Sequence, residues 1–147
     1  MKIIDFRVRP PYGGYLKDFL YTGTDIIETA FAPKYANATI PKAAKEKSME
    51  LLLAEMDELN VEKAVVPIRR VNNSDSTNEN LVNLMNDYPG RFLTMAGIDP
   101  FNDPLNELDK YVISGPCHGI LLEPSIAESG ALYANDELLY PLYEKCQ

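Results

Sequence analysis

The chain has 147 residues, 46% of them hydrophobic, with a formal net charge of −8 and a pI near 4.6. That apolar content is ample for a packed core and too high for a disordered chain, and the length suits one domain or part of a larger one. The acidic balance argues against nucleic acid or an anionic membrane as partner, since both demand clustered Lys and Arg.

No apolar run approaches the ~20 residues of a membrane span. The opening MKIIDFRVRP turns charged after two isoleucines, unlike a secretory leader. The expectation is a cytoplasmic protein whose two cysteines, Cys117 and Cys146, are reduced thiols rather than a disulfide framework.

In chain order, the first element is a strand over Lys2–Val8, within IIDFRVRPP. Successive side chains of a strand point to opposite faces. Asp5, Arg7 and Arg9 therefore share one side, and Ile4, Phe6 and Val8 the other. Residues 10–42 follow as a long segment rich in Tyr, Pro, Gly and Thr, with at most a short helix near Leu16–Tyr21. It opens on Tyr12-Gly13-Gly14-Tyr15, which reads either as a mobile lid or as a turn with packed aromatics.

The rest of the chain alternates. Ala43–Leu59 carries Met49, Leu52, Leu53, Met56 and Leu59 at helical spacing, with Asn60 where a helix C-cap often sits. Lys63–Ile68 is a strand. Thr77–Asp87 is a helix on Leu81, Leu84 and Met85. Arg91–Ile98 is the third strand. Pro104–Val112 is a helix on Leu105, Leu108 and Val112, with Asp103 as N-cap before Pro104. Gly119–Leu122 is the fourth strand, and Asp136–Lys145 a helix on Leu138, Leu139, Leu142 and Tyr143. Short Ile/Val/Leu-rich strands alternating with helices predict right-handed βαβ units and a parallel sheet. Two architectures satisfy this: an open doubly wound sheet, or part of a (β/α)8 barrel, which needs ~250 residues. Neither GxGxxG nor GxxxxGK occurs, which weakens a nucleotide-binding reading, and no GxSxG marks a serine hydrolase.

Taken in order, IIDFRVRPP, MDELNVEKAVV, YPGRFLTMAGIDP, GILLEPS and LYPLYEKCQ resemble the amidohydrolase superfamily, in the amidohydrolase-related branch that includes aminocarboxymuconate-semialdehyde decarboxylase. The likeness spans essentially the whole chain. It implies a TIM barrel of which this chain carries the first four strands, with residues 10–42 as an insertion or lid after the first. Because YPLYEKCQ stops inside an amphipathic helix with no stop signal, the expectation is that residues 1–147 form the N-terminal half of such a domain. The resemblance also implies zinc or another divalent metal, held in that family by two first-strand histidines. Here those positions are Arg7 and Arg9. A guanidinium has no acceptor and a permanent charge, so it cannot ligate a cation, and no metal ligand is assigned.

Arg7 and Arg9, if inward-facing near the C-terminal rim of a barrel, need anionic partners, because an unpaired buried charge is costly. A substrate carboxylate or phosphate held by the guanidinium fork would serve; so would ion pairs with Asp5, Asp99 or Glu123. Glu123 ends the fourth strand at the rim where barrel enzymes place chemistry, and is the candidate catalytic residue. Arg69 and Asp99 end the second and third strands and join Arg7 and Arg9 as candidate substrate contacts; Arg70 lies beside them. Asp5, deeper in the strand, is expected to orient Arg7. His118, the only histidine, precedes its strand and falls at the opposite, stability face of a barrel.

The reading is therefore an α/β half-barrel acting as a hydrolase of a small carboxylate-bearing compound, with decarboxylation as the alternative chemistry. Two readings outside catalysis remain: an inert half-barrel that pairs with another half, and an anion-binding module. Open strand edges lead us to expect a homo-oligomer.

Overall fold

The computed structural model describes residues 1–22, 40–71 and 74–147. Four strands form one parallel sheet in the order β1-β2-β3-β4. They are β1 (Ile3–Phe6), β2 (Val61–Pro67), β3 (Phe92–Gly97) and β4 (Gly119–Leu121). The helices are α1 (Phe19–Thr22), α2 (Lys42–Glu46), α3 (Met49–Glu58), α4 (Asn78–Asp87), α5 (Pro104–Leu108) and α6 (Tyr140–Lys145). Among the described residues no helix is long and apolar enough to cross a membrane.

All four predicted strands form, each within two residues of its expected limits; β1 stops at Phe6, two residues early. The predicted helix Ala43–Leu59 is two. Lys47 takes a left-handed conformation, φ 53°, and Ser48 starts α3 by accepting a hydrogen bond from the Leu51 N–H at 3.2 Å. That side-chain cap competes with a continuous helix at this point. Asn60 follows α3 with φ 58°, the left-handed stop that Asn tolerates. Asp103 precedes Pro104 as expected, but it sits at φ 49° and its side chain caps nothing. Within the insertion, Gly13–Lys17 forms a 3-10 turn and α1 follows; residues 23–39 of the expected insertion lie outside the described residues.

The core lies between the sheet and its helices. Ala64, Val66, Ile68, Phe92 and Ala96 meet Met49, Met56, Leu81, Leu84 and Tyr111 in one buried cluster, with Val8 packed against it. A second, smaller cluster joins Ile98, Leu108 and Leu142, with Ile120 and Leu122. Burial at roughly 25 cal/mol per Å2 of apolar surface makes this layer the main source of stability. Residues paired across parallel strands share a face. Hence the rows Asp5–Ala64–Phe92 and Val66–Thr94 belong to the helix side, and Phe6–Val65–Leu93 and Pro67–Met95–Gly119 to the opposite, concave side.

This corrects the expected facing of the first strand. Within β1, Asp5 points toward the helices, into a cleft shared with Leu52, Met56 and Val61. Ile4 and Phe6 point into the concavity, 56% and 78% exposed. Arg7 is the cause. Its φ of +92° kinks the chain and resets the alternation, so that Val8 returns to the core and Arg7 to the rim. Asp5 consequently does not orient Arg7.

Candidate anion site at the rim of the sheet

The carboxyl ends of parallel strands are where α/β folds build sites, because each strand there hands its last side chain to a loop. Three such ends meet here. Arg69 leaves β2 on the concave side and donates from Nε to Glu123 Oε2 at 2.5 Å. Arg7, turned inward by its kink, brings Nη2 to 4.0 Å from Glu123 Oε1. A positive φ on an arginine costs backbone energy of order 1–3 kcal/mol, and such outliers gather at functional sites. Glu123 thus bridges two guanidiniums, one tightly and one loosely.

Arg9 is the third cation. It is half-buried, and its pKa is lowered by burial first and then by Arg7 and Arg69 nearby; Tyr15 and Asp18 act in the opposite sense. Among the described residues no carboxylate lies within ion-pair distance of Arg9. Among the described residues the cluster therefore holds three guanidiniums and one ion-paired carboxylate, Glu123, with Asp18 acting on Arg9 from beyond ion-pair distance, in a chain whose overall charge is −8. An anion crossing an acidic surface finds a local excess of forked donors.

The wall behind Arg9 is aromatic and fixed. The Tyr15 hydroxyl donates to the Pro67 carbonyl and the Tyr21 hydroxyl to the Arg9 carbonyl, each at 2.5 Å. Burial raises both phenol pKa values, that of Tyr21 to about 12, so both remain neutral donors. A side chain at Gly14 would start 2.1 Å from the Asp75 carbonyl oxygen, so this backbone approach admits only glycine. Tyr12-Gly13-Gly14-Tyr15 is accordingly a turn with packed aromatics. Sequence reading did not single out Tyr21 or Asp18. Asp18 accepts from the Ser76 hydroxyl at 3.3 Å, and burial raises its pKa.

The other sequence-selected residues lie apart from this cluster. Asp99 is buried and accepts from the Ser129 hydroxyl and, at 3.2 Å, from the Phe101 N–H, so it fastens the loop after β3. Arg70 pairs with Glu128 at 3.4 Å. His118 is exposed and accepts at Nδ1 from the Thr94 N–H, at the amino end of β4. Cys117 is buried and Cys146 exposed, both as free thiols. Among the described residues, no three His, Cys, Asp or Glu side chains gather closely enough to hold a metal ion. The zinc that the family resemblance implies does not fit this rim, because its first-strand positions are guanidiniums.

The whole described chain superposes on a crystal structure, that of an uncharacterized TIM-barrel protein, Bb4693 from Bordetella bronchiseptica. The TM-score is 0.78 at 29% identity, over 99% of this chain and 52% of that one. The fold is half of a TIM barrel. The chain spans about half the length of the protein it matches, and its four strands take the curvature of a barrel wall rather than that of an open twisted sheet. No protein-family model and no curated protein matches the sequence.

Proposed function

We propose that the rim cluster binds the carboxylate of a small organic anion and that the bound compound is hydrolysed. In this reading residues 1–147 are the N-terminal half of an amidohydrolase-like domain of the amidohydrolase-related branch, with residues 10–42 as its insertion. The observation that supports it is Arg9: a half-buried guanidinium beside two others, with no carboxylate of its own among the described residues. An incoming carboxylate relieves the repulsion among the three cations and takes the place of water in a partly enclosed site.

Arg9 and Arg7 hold the substrate carboxylate, and Arg69 keeps Glu123 in place. The 4.0 Å contact between Arg7 and Glu123 Oε1 is the weaker of the two. A substrate that draws Arg7 away leaves Oε1 free to accept a proton from a water molecule, while Oε2 stays on Arg69. That water then adds to the substrate's carbonyl, and the C–N or C–O bond breaks as Glu123 Oε1 passes its proton to the leaving nitrogen or oxygen, which returns Glu123 to the carboxylate. No step here passes through a metal. Decarboxylation fits less well, because a guanidinium stabilises the carboxylate that would have to leave as CO2, opposing the reaction in the ground state.

Isothermal titration calorimetry with acetate, succinate and benzoate tests the binding step. Arg9→Met should weaken the best ligand at least tenfold, the scale of one lost charge-assisted bond. Arg91→Met, which removes a guanidinium paired with Asp57 at the opposite end of the sheet, should leave binding unchanged. Heat signals absent for all three carboxylates at millimolar concentration would sink the reading.

A further inference from the structure

Arg9 raises a question of aim. Its side chain is half-buried beside Arg7 and Arg69, and among the described residues no carboxylate lies within ion-pair distance of it. A long side chain that is repelled by two like charges and tied to no partner gains rotamer freedom by swinging away. Whatever keeps it at the rim has to act through the backbone.

The chain is held before, after and at Arg9. One residue before it, the Val8 N–H donates to the Val65 carbonyl at 2.8 Å and ties the chain to β2. One residue after it, Pro10 is fully buried, and a proline there favours extended backbone at Arg9 itself. The Tyr21 hydroxyl then donates to the Arg9 carbonyl at 2.5 Å. The first two contacts hold neighbours, and the third holds the peptide group of Arg9.

Tyr21 suits that task. Its side chain is 7% exposed and belongs to the helix-side cluster of Tyr15, Met49, Met56 and Val66. The hydroxyl is therefore the tip of a rigid ring whose body is set by the core. Tyr15, from the same cluster, makes the matching bond to the Pro67 carbonyl at 2.5 Å, two residues before Arg69. Two phenols of one packed wall thus fix the exits of β1 and β2.

We propose that Tyr21 is a positioning residue for the anion site: by holding the Arg9 carbonyl it aims the Arg9 guanidinium at the rim, beside Arg7 and Arg69. The proposal rests on the reading of that rim as an anion site. Its advantage is chemical. A guanidinium aimed by a carboxylate would have to give that partner up to bind a ligand, whereas one aimed through its own peptide group keeps its donors free. Without the hydroxyl, Arg9 turns away from two like charges toward Asp18, whose carboxylate already acts on it.

Tyr21→Phe removes the hydroxyl and keeps the ring. Calorimetry with whichever of acetate, succinate and benzoate binds the wild type best should show binding about fivefold weaker, the scale of one neutral hydrogen bond. In an Arg9→Met background the same change should cost nothing further, because the hydroxyl then has nothing to aim. A second readout needs no ligand. With isotope-labelled arginine, the Arg9 Nε–H magnetic resonance signal, assigned by its loss in Arg9→Met, should shift in Tyr21→Phe, while that of Arg91 at the opposite end of the sheet stays. Wild-type affinity in Tyr21→Phe would overturn the proposal. So would an equal loss in the Arg9→Met background, an unmoved Arg9 signal, or a Tyr21→Phe chain that loses its fold, since the hydroxyl would then serve the core rather than Arg9. Heat signals absent from the wild type with all three carboxylates would remove the rim reading, and this one with it.

Discussion

The inner strands β2 and β3 and the outer strands β1 and β4 belong to one sheet, yet they live in different surroundings. Ala64, Val66 and Ala96 are fully buried, while every residue of β1 is exposed and every residue of β4 is half-exposed. Composition does not explain it: Ile3, Ile4 and Phe6 are as apolar as anything in β2. The difference is position. An inner strand has a neighbour on each side and helices on one face, whereas an outer strand has, among the described residues, one neighbour and a bare concave face. Among the described residues the helix-side layer is therefore covered, and the concave layer is not. Substitutions on the two sides should differ accordingly.

Leu84 and Phe6 give the widest contrast. Leu84 is fully buried between α4 and the sheet. Leu84→Ala should cost about 3 kcal/mol, from lost transfer energy plus the cavity left behind. Phe6 is 78% exposed in the single chain. Measured by urea denaturation at low protein concentration, Phe6→Ala should cost less than about 0.5 kcal/mol, as surface changes do. Equal losses at the two positions would break the comparison.

The same contrast explains what could be read from sequence. Runs such as KAVVPI and RFLTMAGI are buried whatever covers the concave face, and their apolar content announced them as strands. Beta-1 was harder. Its alternating pattern is real, but the phase depends on one backbone angle at Arg7, and φ > 0 on an arginine has no sequence signal. Inverting the phase moved Asp5 to the helix side and Phe6 to the concavity, while Arg7 stays within 4.0 Å of Glu123 and Arg9 is half-buried near Arg7 and Arg69. That Arg69 and Glu123 lie at the carboxyl ends of strands was legible; that they pair with each other was not. Asp99 ends a strand too, but Ser129, thirty positions on, claims its carboxylate, and no local pattern reveals a partner so distant in sequence. Tyr21 was hidden for the same reason, since its role is to bond one carbonyl twelve residues back.

Asn78 sharpens the comparison from the inner side. It is buried at the start of α4 and clamps the end of β3, accepting from the Gly97 N–H at 2.8 Å and donating to the Gly97 carbonyl at 2.9 Å. A buried side chain that satisfies both polar groups of one peptide replaces the ladder partner that the strand has run out of. Asn78→Ala strands a donor and an acceptor together and should cost about 2 kcal/mol by urea denaturation. Asn78→Asp keeps the shape and the acceptor but loses the donor, and adds a charge in a buried place, so it should be no milder. Full stability in either variant would mean that water can reach this junction, and that the inner layer is less closed than its burial implies.

Glu79 links the inner layer to the β4 side and makes the smallest of these effects. It sits in the first turn of α4, where a carboxylate also suits the helix dipole. The Tyr111 hydroxyl donates to it, and Lys110 Nζ lies 3.3 Å away. The Tyr111 hydrogen bond, followed by its own backbone N–H and Lys110, lowers its pKa from 4.5 to about 2. A carboxylate with a depressed folded-state pKa binds fewer protons folded than unfolded. Its contribution is therefore fully present above about pH 4.5 and is lost as pH falls toward 2. The side chain is 60% exposed, so solvent screening reduces the pKa shift to about 1 kcal/mol of net stability. Glu79→Gln should lower stability by that amount at pH 7, and the gap to wild type should close as the two proteins are titrated to pH 2. A gap that persists unchanged at pH 2 would mean that the amide fails for reasons of shape, and that charge does not hold the β4 side to the inner layer.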